Sequence, residues 1–327
     1  MADRIRRLAV LTSGEDSPGF NACIRAVVRM ALHYGWEPWG VRFGYKGLLE
    51  GNFVPLDSRS VSHIIDRGGT FLGALRSDEF KTPAGLRDAL RQINDRAVDA
   101  LVVIGGDGTM RGAQTLHEAG VPVIGVPGTI ENDVCGTDVA IGVDTALNTV
   151  LDAIDRIKDT ASSHQQAFLV EVMGKKSGYL ALMAGIAGGA EMVCIPEVPF
   201  TLQDVADEVA DSYTRGKRHC IIVVSEGATP HATEITRYLE ERQEETGFNV
   251  RLSLLGYIQR GGSPTARDRH LATCLGAAAV DVLYNGTQGV AMGMIDGKIV
   301  NTPLDEVVAC TRGIDEAYLE MARMLAR

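Results

Sequence analysis

The sequence predicts an α/β protein made of two doubly wound domains with mainly parallel sheets, and three observations carry that prediction. Short apolar runs recur at Leu8 to Leu11, Ala100 to Ile104, Val121 to Val126, Phe168 to Val172 and Cys220 to Val224. Each is followed by a glycine-rich turn and then a helical pattern, an alternation that covers both faces of a parallel sheet. The chain has 327 residues, long enough for two domains. In such sheets ligands bind at the carboxyl ends of the strands, so the turns after these runs are where chemistry is sought.

The first such turn is Thr12-Ser13-Gly14-Glu15-Asp16-Ser17-Pro18-Gly19-Phe20-Asn21, leading into a helix expected over Ala22 to His33. Taken alone it reads as a tight strand-to-helix turn capped by Asn21 or Ser17. The next, Val102-Val103-Ile104-Gly105-Gly106-Asp107-Gly108-Thr109, is the most informative stretch of the chain. Its glycines let backbone amides approach phosphate oxygens, the helix expected over Met110 to Gly120 favours anions at its N-terminus, and Asp107 offers a carboxylate to a divalent metal. That combination points to a nucleotide and to phosphoryl transfer. Pro127-Gly128-Thr129-Ile130-Glu131-Asn132-Asp133 adds two carboxylates and a hydroxyl in one turn, equipment for taking a proton and neutralising a phosphoryl group. Gly256-Tyr257-Ile258-Gln259-Arg260-Gly261-Gly262-Ser263-Pro264 and the preceding Arg251, on an expected strand, supply guanidiniums for a phosphate. Each cluster also has a plainer reading, as a solvated acidic turn or as surface ion pairs. His164 reads as a helix-terminal or packed histidine. Neither a GxxxxGK[ST] loop nor a GxGxxG fingerprint occurs; Gly174-Lys175-Lys176-Ser177 is a near miss.

Composition narrows the partners. Lysine and arginine number 32 against 42 acidic residues, a net charge of -10, which argues against nucleic acid and anionic membrane as partners. No apolar stretch approaches a membrane span, and a cytoplasmic protein is expected. The six cysteines (Cys23, Cys135, Cys194, Cys220, Cys274, Cys310) show no CxxC pair and read as reduced core thiols. No linker divides the chain. The loop order suggests one domain of residues 1–142 plus 259–309 and another of residues 143–258 plus 310–327.

Together and in this order the loops resemble the ATP-dependent bacterial 6-phosphofructokinase family, from about Leu8 to the C-terminus. Arg67-Gly68-Gly69-Thr70-Phe71-Leu72-Gly73, Ile154 to Thr160, Glu171-Val172-Met173-Gly174, Ile186 to Glu191 and Pro196-Glu197 strengthen the match. The resemblance implies a nucleotide-binding first domain, a sugar-phosphate-binding second domain and an active site in the cleft between them. It implies ATP and fructose 6-phosphate, or a related sugar phosphate, as substrates, Mg²⁺ as cofactor with Asp107 as its carboxylate, and a glycolytic role. It assigns Gly14, Glu15, Arg76, Ser77, Gly106, Asp107, Gly108 and Thr109 to the nucleotide. Glu131, Arg76, Thr129 and Asp133 fall to catalysis. Thr129, Gln166, Met173, Gly174, Lys175, Glu226, Arg251, Tyr257 and Arg260 fall to the sugar phosphate. Arg25, Arg29, Ser58, Lys158, Arg215, Lys217 and His219 correspond to an effector pocket, and a homotetramer is implied in which Gln166 and Arg251 reach a neighbour's sugar site. Pyrophosphate-dependent relatives usually carry aspartate at position 108 and lysine at position 128; this chain has glycine at both.

Several positions depart from the family pattern. Glu131 stands where an aspartate is usual, moving the carboxylate by roughly 1.5 Å. Glu15 replaces a glycine of the phosphate loop; two like charges about 4 Å apart repel by about 4 kcal/mol at an effective dielectric of roughly 20, so either magnesium or Arg111 compensates or the side chain turns into solvent. Gln166 and Lys175 replace arginines, Tyr257 a histidine, and Ser58 an effector-site arginine. These departures motivate a second expectation, a catalytically weak or silent paralogue that binds ligand and regulates a partner. The Gly-Gly-Asp-Gly-Thr loop also occurs in NAD and diacylglycerol kinases, whose other loops are not found here.

Overall fold

The computed structural model describes residues 5–326. Its strands are β1 (Arg7–Thr12), β2 (Glu37–Val41), β3 (Phe53–Pro55), β4 (Ala100–Gly105), β5 (Val123–Pro127), β6 (Gln166–Val172), β7 (Met192–Cys194), β8 (Cys220–Ser225), β9 (Asn249–Leu254), β10 (Val290–Ile295) and β11 (Lys298–Pro303). Every expected apolar run is a strand. The chain divides into two compact units, Met1–Thr145 with Arg260–Arg312, and Ala146–Gln259 with Gly313–Arg327.

The first unit holds a seven-stranded sheet in the order β11-β10-β5-β4-β1-β2-β3. Its inner pairs are parallel, while β3 and β11 close the edges antiparallel. The inner strands are continuously apolar because each face has its own core. Leu8 and Val10 of β1 and Val102 and Ile104 of β4 meet residues of helices Phe20–His33 and Ala266–Tyr284, such as Val27 and Leu275. Ala9, Leu11, Leu101 and Val103 meet Ala113 and Leu116 of helix Asp107–Glu118 and Ile93 of helix Pro83–Asp95. Each such buried aliphatic side chain contributes about 1.5–3 kcal/mol, which is why alternation is absent from these runs.

The second unit has four parallel strands in the order β7-β8-β6-β9. Ala167, Leu169, Ile222 and Val224 pack on one face against Val205 and Val209 of helix Leu202–Thr214 and Ile235 and Leu239 of helix Ala232–Glu240. No helix among the described residues is long and apolar enough to cross a membrane.

Three expectations are corrected. The helix after β1 begins earlier than Ala22 and is capped by neither Ser17 nor Asn21. Gly19 is its N-cap at φ 109°, where a Cβ would lie 2.6 Å from the Ile141 side chain. Ser17 instead donates to the Ile141 carbonyl at 2.7 Å, and Asn21, inside the helix, donates to Arg67 and Gly68 carbonyls and accepts from the Phe71 amide at 2.8 Å. Their oxygens bind other segments of chain, a use that local spacing does not reveal. The helix after β4 starts at Asp107, not Met110, so this carboxylate lies in the first turn, where the helix dipole favours it. The six cysteines are not all free core thiols. Cys135 and Cys310, 175 residues apart in sequence, form a disulfide with a Cα–Cα separation of 6.2 Å, because the loop after β5 meets the segment after β11. Cys274 is half-buried; Cys23, Cys194 and Cys220 are buried, and burial pushes the Cys194 thiol up to about 12.

Candidate functional site

Backbone pairing brings the turns after β1, β4 and β5 together. The Ser13 amide donates to the Ile104 carbonyl at 3.0 Å, and the Gly128 amide to the Gly105 carbonyl at 2.9 Å. Thr109 is buried, with its hydroxyl donating to the Ser13 carbonyl at 3.0 Å. A Cβ on Gly14 would lie 3.1 Å from that hydroxyl, and one on Gly106 3.5 Å from the Thr129 Cβ. Gly14, Gly106, Asp107, Thr109 and Thr129 therefore form one continuous surface at the carboxyl end of the sheet. The Thr129 hydroxyl accepts from the Glu131 amide at 3.1 Å, turning the chain toward Asn132 and Asp133.

Charge on this surface is matched pair by pair. Asp107 and Arg111, one helical turn apart, form a two-point pair at 3.1 and 3.0 Å. Glu15 bonds Arg76 at 2.5 Å and lies 3.7 Å from a guanidinium nitrogen of Arg260, which also pairs with Asp16. The cations offsetting Glu15 are thus Arg76 and Arg260; the expected compensator Arg111 is engaged by Asp107. Arg260 is only 18% exposed and Arg76 74%, so the first is a fixed member of the cluster and the second faces solvent. The Ser77 hydroxyl accepts from the Phe80 amide at 3.3 Å, just ahead of the short 3₁₀ turn Glu79–Lys81. Two glycines differ sharply in their surroundings. A Cβ on Gly108 would meet nothing within 4 Å, whereas one on Gly128 would meet the Phe20 ring at 2.3 Å.

In the second unit the expected sugar-phosphate residues fall at two places. Met173, Gly174, Lys175 and Glu226 follow the carboxyl ends of β6 and β8. The Met173 amide donates to the Gln259 side chain at 3.1 Å, the Glu226 amide to the Val172 carbonyl at 2.8 Å, and the Gly174 carbonyl accepts from Ser225 at 2.6 Å. Lys175 lies 3.8 Å from Glu226, whose carboxylate, after burial, helps raise the pKa of Glu171. Gln166 instead opens β6, opposite Asn249 of β9, and Arg251 pairs with Phe168, two residues further along each strand. Six steps of about 3.3 Å put Gln166 roughly 20 Å from Val172 along the strand. Tyr257 stands 75% exposed on the 3₁₀ turn Gly256–Gln259.

Of the effector-type residues, Arg25 and Arg29 lie one turn apart on helix Phe20–His33, close enough that Arg29 helps lower the Arg25 pKa after burial does so, and Ser58 is exposed. Lys158 donates to the Gly188 carbonyl, Arg215 pairs with Glu208 and Asp211, Lys217 with Glu191, and His219 with Ser162. His164 ends helix Val143–His164. A cavity of about 390 Å³ between β7, Phe200 and the C-terminal helix Glu316–Leu325 is lined by none of the expected substrate or nucleotide residues. Sequence reasoning missed Asp16, Phe20 and Arg312 as neighbours of these loops; Asp16 was legible, standing beside Glu15 in the quoted turn.

Residues 7–283 match the family model described as Phosphofructokinase. The chain is 47% identical over 323 residues to an ATP-dependent 6-phosphofructokinase of Thermotoga petrophila, covering 98% of this chain and 100% of that one. It is 49% identical, with the same coverage, to ATP-dependent 6-phosphofructokinase 1 of Thermus thermophilus. Among solved structures, the phosphofructokinase of Saccharomyces cerevisiae superposes with a TM-score of 0.86 at 36% identity; 98% of this chain is covered and 48% of that one, so the chain spans about half its length. A pyrophosphate-dependent phosphofructokinase from Marinobacter aquaeolei has a TM-score of 0.83 at 20% identity, covering 98% of this chain and 91% of that one, and shares the fold.

Proposed function

This chain belongs to the phosphofructokinase family, and from that premise we propose that it moves the γ-phosphoryl group of ATP onto the 1-hydroxyl of fructose 6-phosphate, giving fructose 1,6-bisphosphate and ADP in glycolysis. The observation that carries the reading is the surface shared by the turns after β1, β4 and β5, where backbone amides, a helix N-terminus and paired guanidiniums meet. Glu131 accepts the proton of the attacking hydroxyl, while Arg76 leaves Glu15 for the transferring phosphoryl oxygens and offsets their growing charge. Thr129 and Asp133 orient the acceptor.

Asp107 fits Mg²⁺ as one hard oxygen donor beside phosphates, the usual arrangement for this ion; among the described residues no cluster of three or more His, Cys, Asp or Glu exists to cage a metal by itself. Bound there, the ion would neutralise phosphate charge. ATP is favoured as donor over pyrophosphate because the Phe20 ring fills the space into which a lysine at position 128 would project, and because the room around Gly108 is left to the nucleotide. Gly14, Gly106 and Thr109 line the phosphates and Ser77 holds its turn.

Arg260, Met173, Gly174, Lys175, Glu226 and Tyr257 bind the sugar phosphate. Gln166, opening β6, and Arg251 of β9 serve the sugar site of a neighbouring copy in a homotetramer. The effector role stays with Arg25, Arg29, Lys158, Arg215, Lys217 and His219, weakened at Ser58. We assign the protein to the cytoplasm, where its substrates are. A silent regulatory role is not favoured, since the relatives are named as kinases over their full length and Asp107, Arg76, Asp133 and an acid at 131 all stand. A coupled ADP-release assay across sugar phosphates, with pyrophosphate as rival donor, tests the reading: fructose 6-phosphate with ATP gives turnover, and no ADP release with any sugar phosphate overturns it.

A further inference from the structure

The loop bearing Glu131 and Asp133 is held by a residue 180 positions away from its centre in sequence. Arg312 donates through one guanidinium nitrogen to the Thr137 carbonyl at 2.5 Å, the Val134 carbonyl at 3.3 Å and the Asn132 side chain at 3.4 Å, and through another to the Asp138 carbonyl at 2.5 Å. Two residues earlier, Cys310 is bonded to Cys135 of the same loop. Between the two carboxylate residues, Asn132 is buried in the left-handed region at φ 52°, donating to the Asp138 carbonyl at 3.1 Å and accepting from the Ala140 amide at 2.9 Å. Asparagine tolerates this region, and here both ends of its side chain are bonded across the loop.

We propose that Arg312 is a positioning residue for phosphoryl transfer, setting the loop that carries Glu131 and Asp133, and that the Cys135–Cys310 bond keeps Arg312 seated on it. The inference rests on the function proposed above. The planar guanidinium brings several fixed donors to oxygens from four residues at once, which an ammonium cannot reproduce. The side chain at position 131 is one methylene longer than the family's usual aspartate, so the reach of its carboxylate depends on where the loop backbone is fixed. In a cytoplasmic protein a disulfide is open to exchange with thiols, so the brace answers to redox conditions. A dithiol breaks the Cys135–Cys310 bond by attack through its thiolate; both cysteines leave as thiols and the dithiol closes to its own cyclic disulfide.

The test measures kinetics together with amide hydrogen exchange over residues 129–138. Arg312→Ala is expected to lower kcat by about 10–100-fold with little change in KM for ATP, the cost of displacing a reacting group by roughly 1 Å, and to speed exchange in that loop. Arg312→Lys restores part of both. Treating the wild type with a dithiol lowers kcat by a smaller factor, and Cys310→Ser reproduces that loss and no longer responds to the dithiol. Unchanged exchange in Arg312→Ala overturns the brace; faster exchange with unchanged kcat overturns the positioning role. A wild type that releases no ADP with any sugar phosphate removes the reaction and the positioning role with it, while the exchange data still decide the brace.

Discussion

In the first unit the charged groups expected at the site are bonded to one another, Asp107 with Arg111 and Glu15 with Arg76 and Arg260, all within one unit of one chain. In the second unit the expected phosphate-binding residues are spread along β6, with Gln166 at its start, Arg251 beside Phe168, and Met173, Gly174 and Glu226 beyond its carboxyl end. In the first arrangement these charges neutralise one another, so on the proposed function a donor would replace existing ion pairs. In the second, Gln166 lies roughly 20 Å along the strand from Val172 and the residues that follow it. The contrast teaches that the Glu15 departure in the first unit is compensated by near neighbours, whereas Gln166 in the second stands at the far end of β6 from Met173, Gly174 and Glu226.

The largest effect should come from Glu131→Gln, which leaves the pairs of the first unit in place and removes only the base: kcat is expected to fall by about 100- to 10,000-fold with ATP binding retained. Retained turnover in a steady-state assay would move the base elsewhere. The division between copies proposed above is tested by mixing. Arg251→Ala should raise KM for the sugar phosphate by about 10–100-fold, the worth of a charge-assisted bond. Hybrid oligomers of Arg251→Ala with Glu131→Gln should recover more activity than either parent at equal total protein, an excess that disappears if every site is built from one chain.

A smaller effect is expected from Glu15→Gly, the family's usual residue. It frees Arg76 and removes a like charge, so KM for ATP should fall by about 10-fold, while kcat changes less; an unchanged KM would show that Glu15 does not compete with the donor. Smallest is a stability change in the second unit. Burial and the Glu226 carboxylate raise the Glu171 pKa, so folding favours its neutral form. The stability this contributes is full below the ordinary carboxylate range and lost as pH rises through the raised value. Glu171→Gln should match the wild type in acid and be slightly the more stable at neutral pH, read from denaturant melts at both.

The sheets were legible because runs such as Val102 to Ile104 are apolar at every position, which only a strand covered on both faces explains. The glycine-rich turns were legible for a related reason, since a positive φ at Gly14 and the close approach of the Ser13 carbonyl to Gly105 restrict residue type. Partnerships between distant segments were not. Nothing near Cys135 names Cys310, and nothing near Asn132 names Arg312, because a long loop can close on many partners at similar entropic cost. The compensators of Glu15 escaped for the same reason, since Arg76 and Arg260 stand far from it in sequence.

The ring of Phe20 against Gly128 imposes an order on mutation. Randomising position 128 alone returns glycine whatever phosphate donor is selected, because any side chain there collides with the aromatic group. Trimming residue 20 first opens the way, so a larger residue at position 128 is reached through an intermediate that carries a hole beside β5 and folds less stably than either end point.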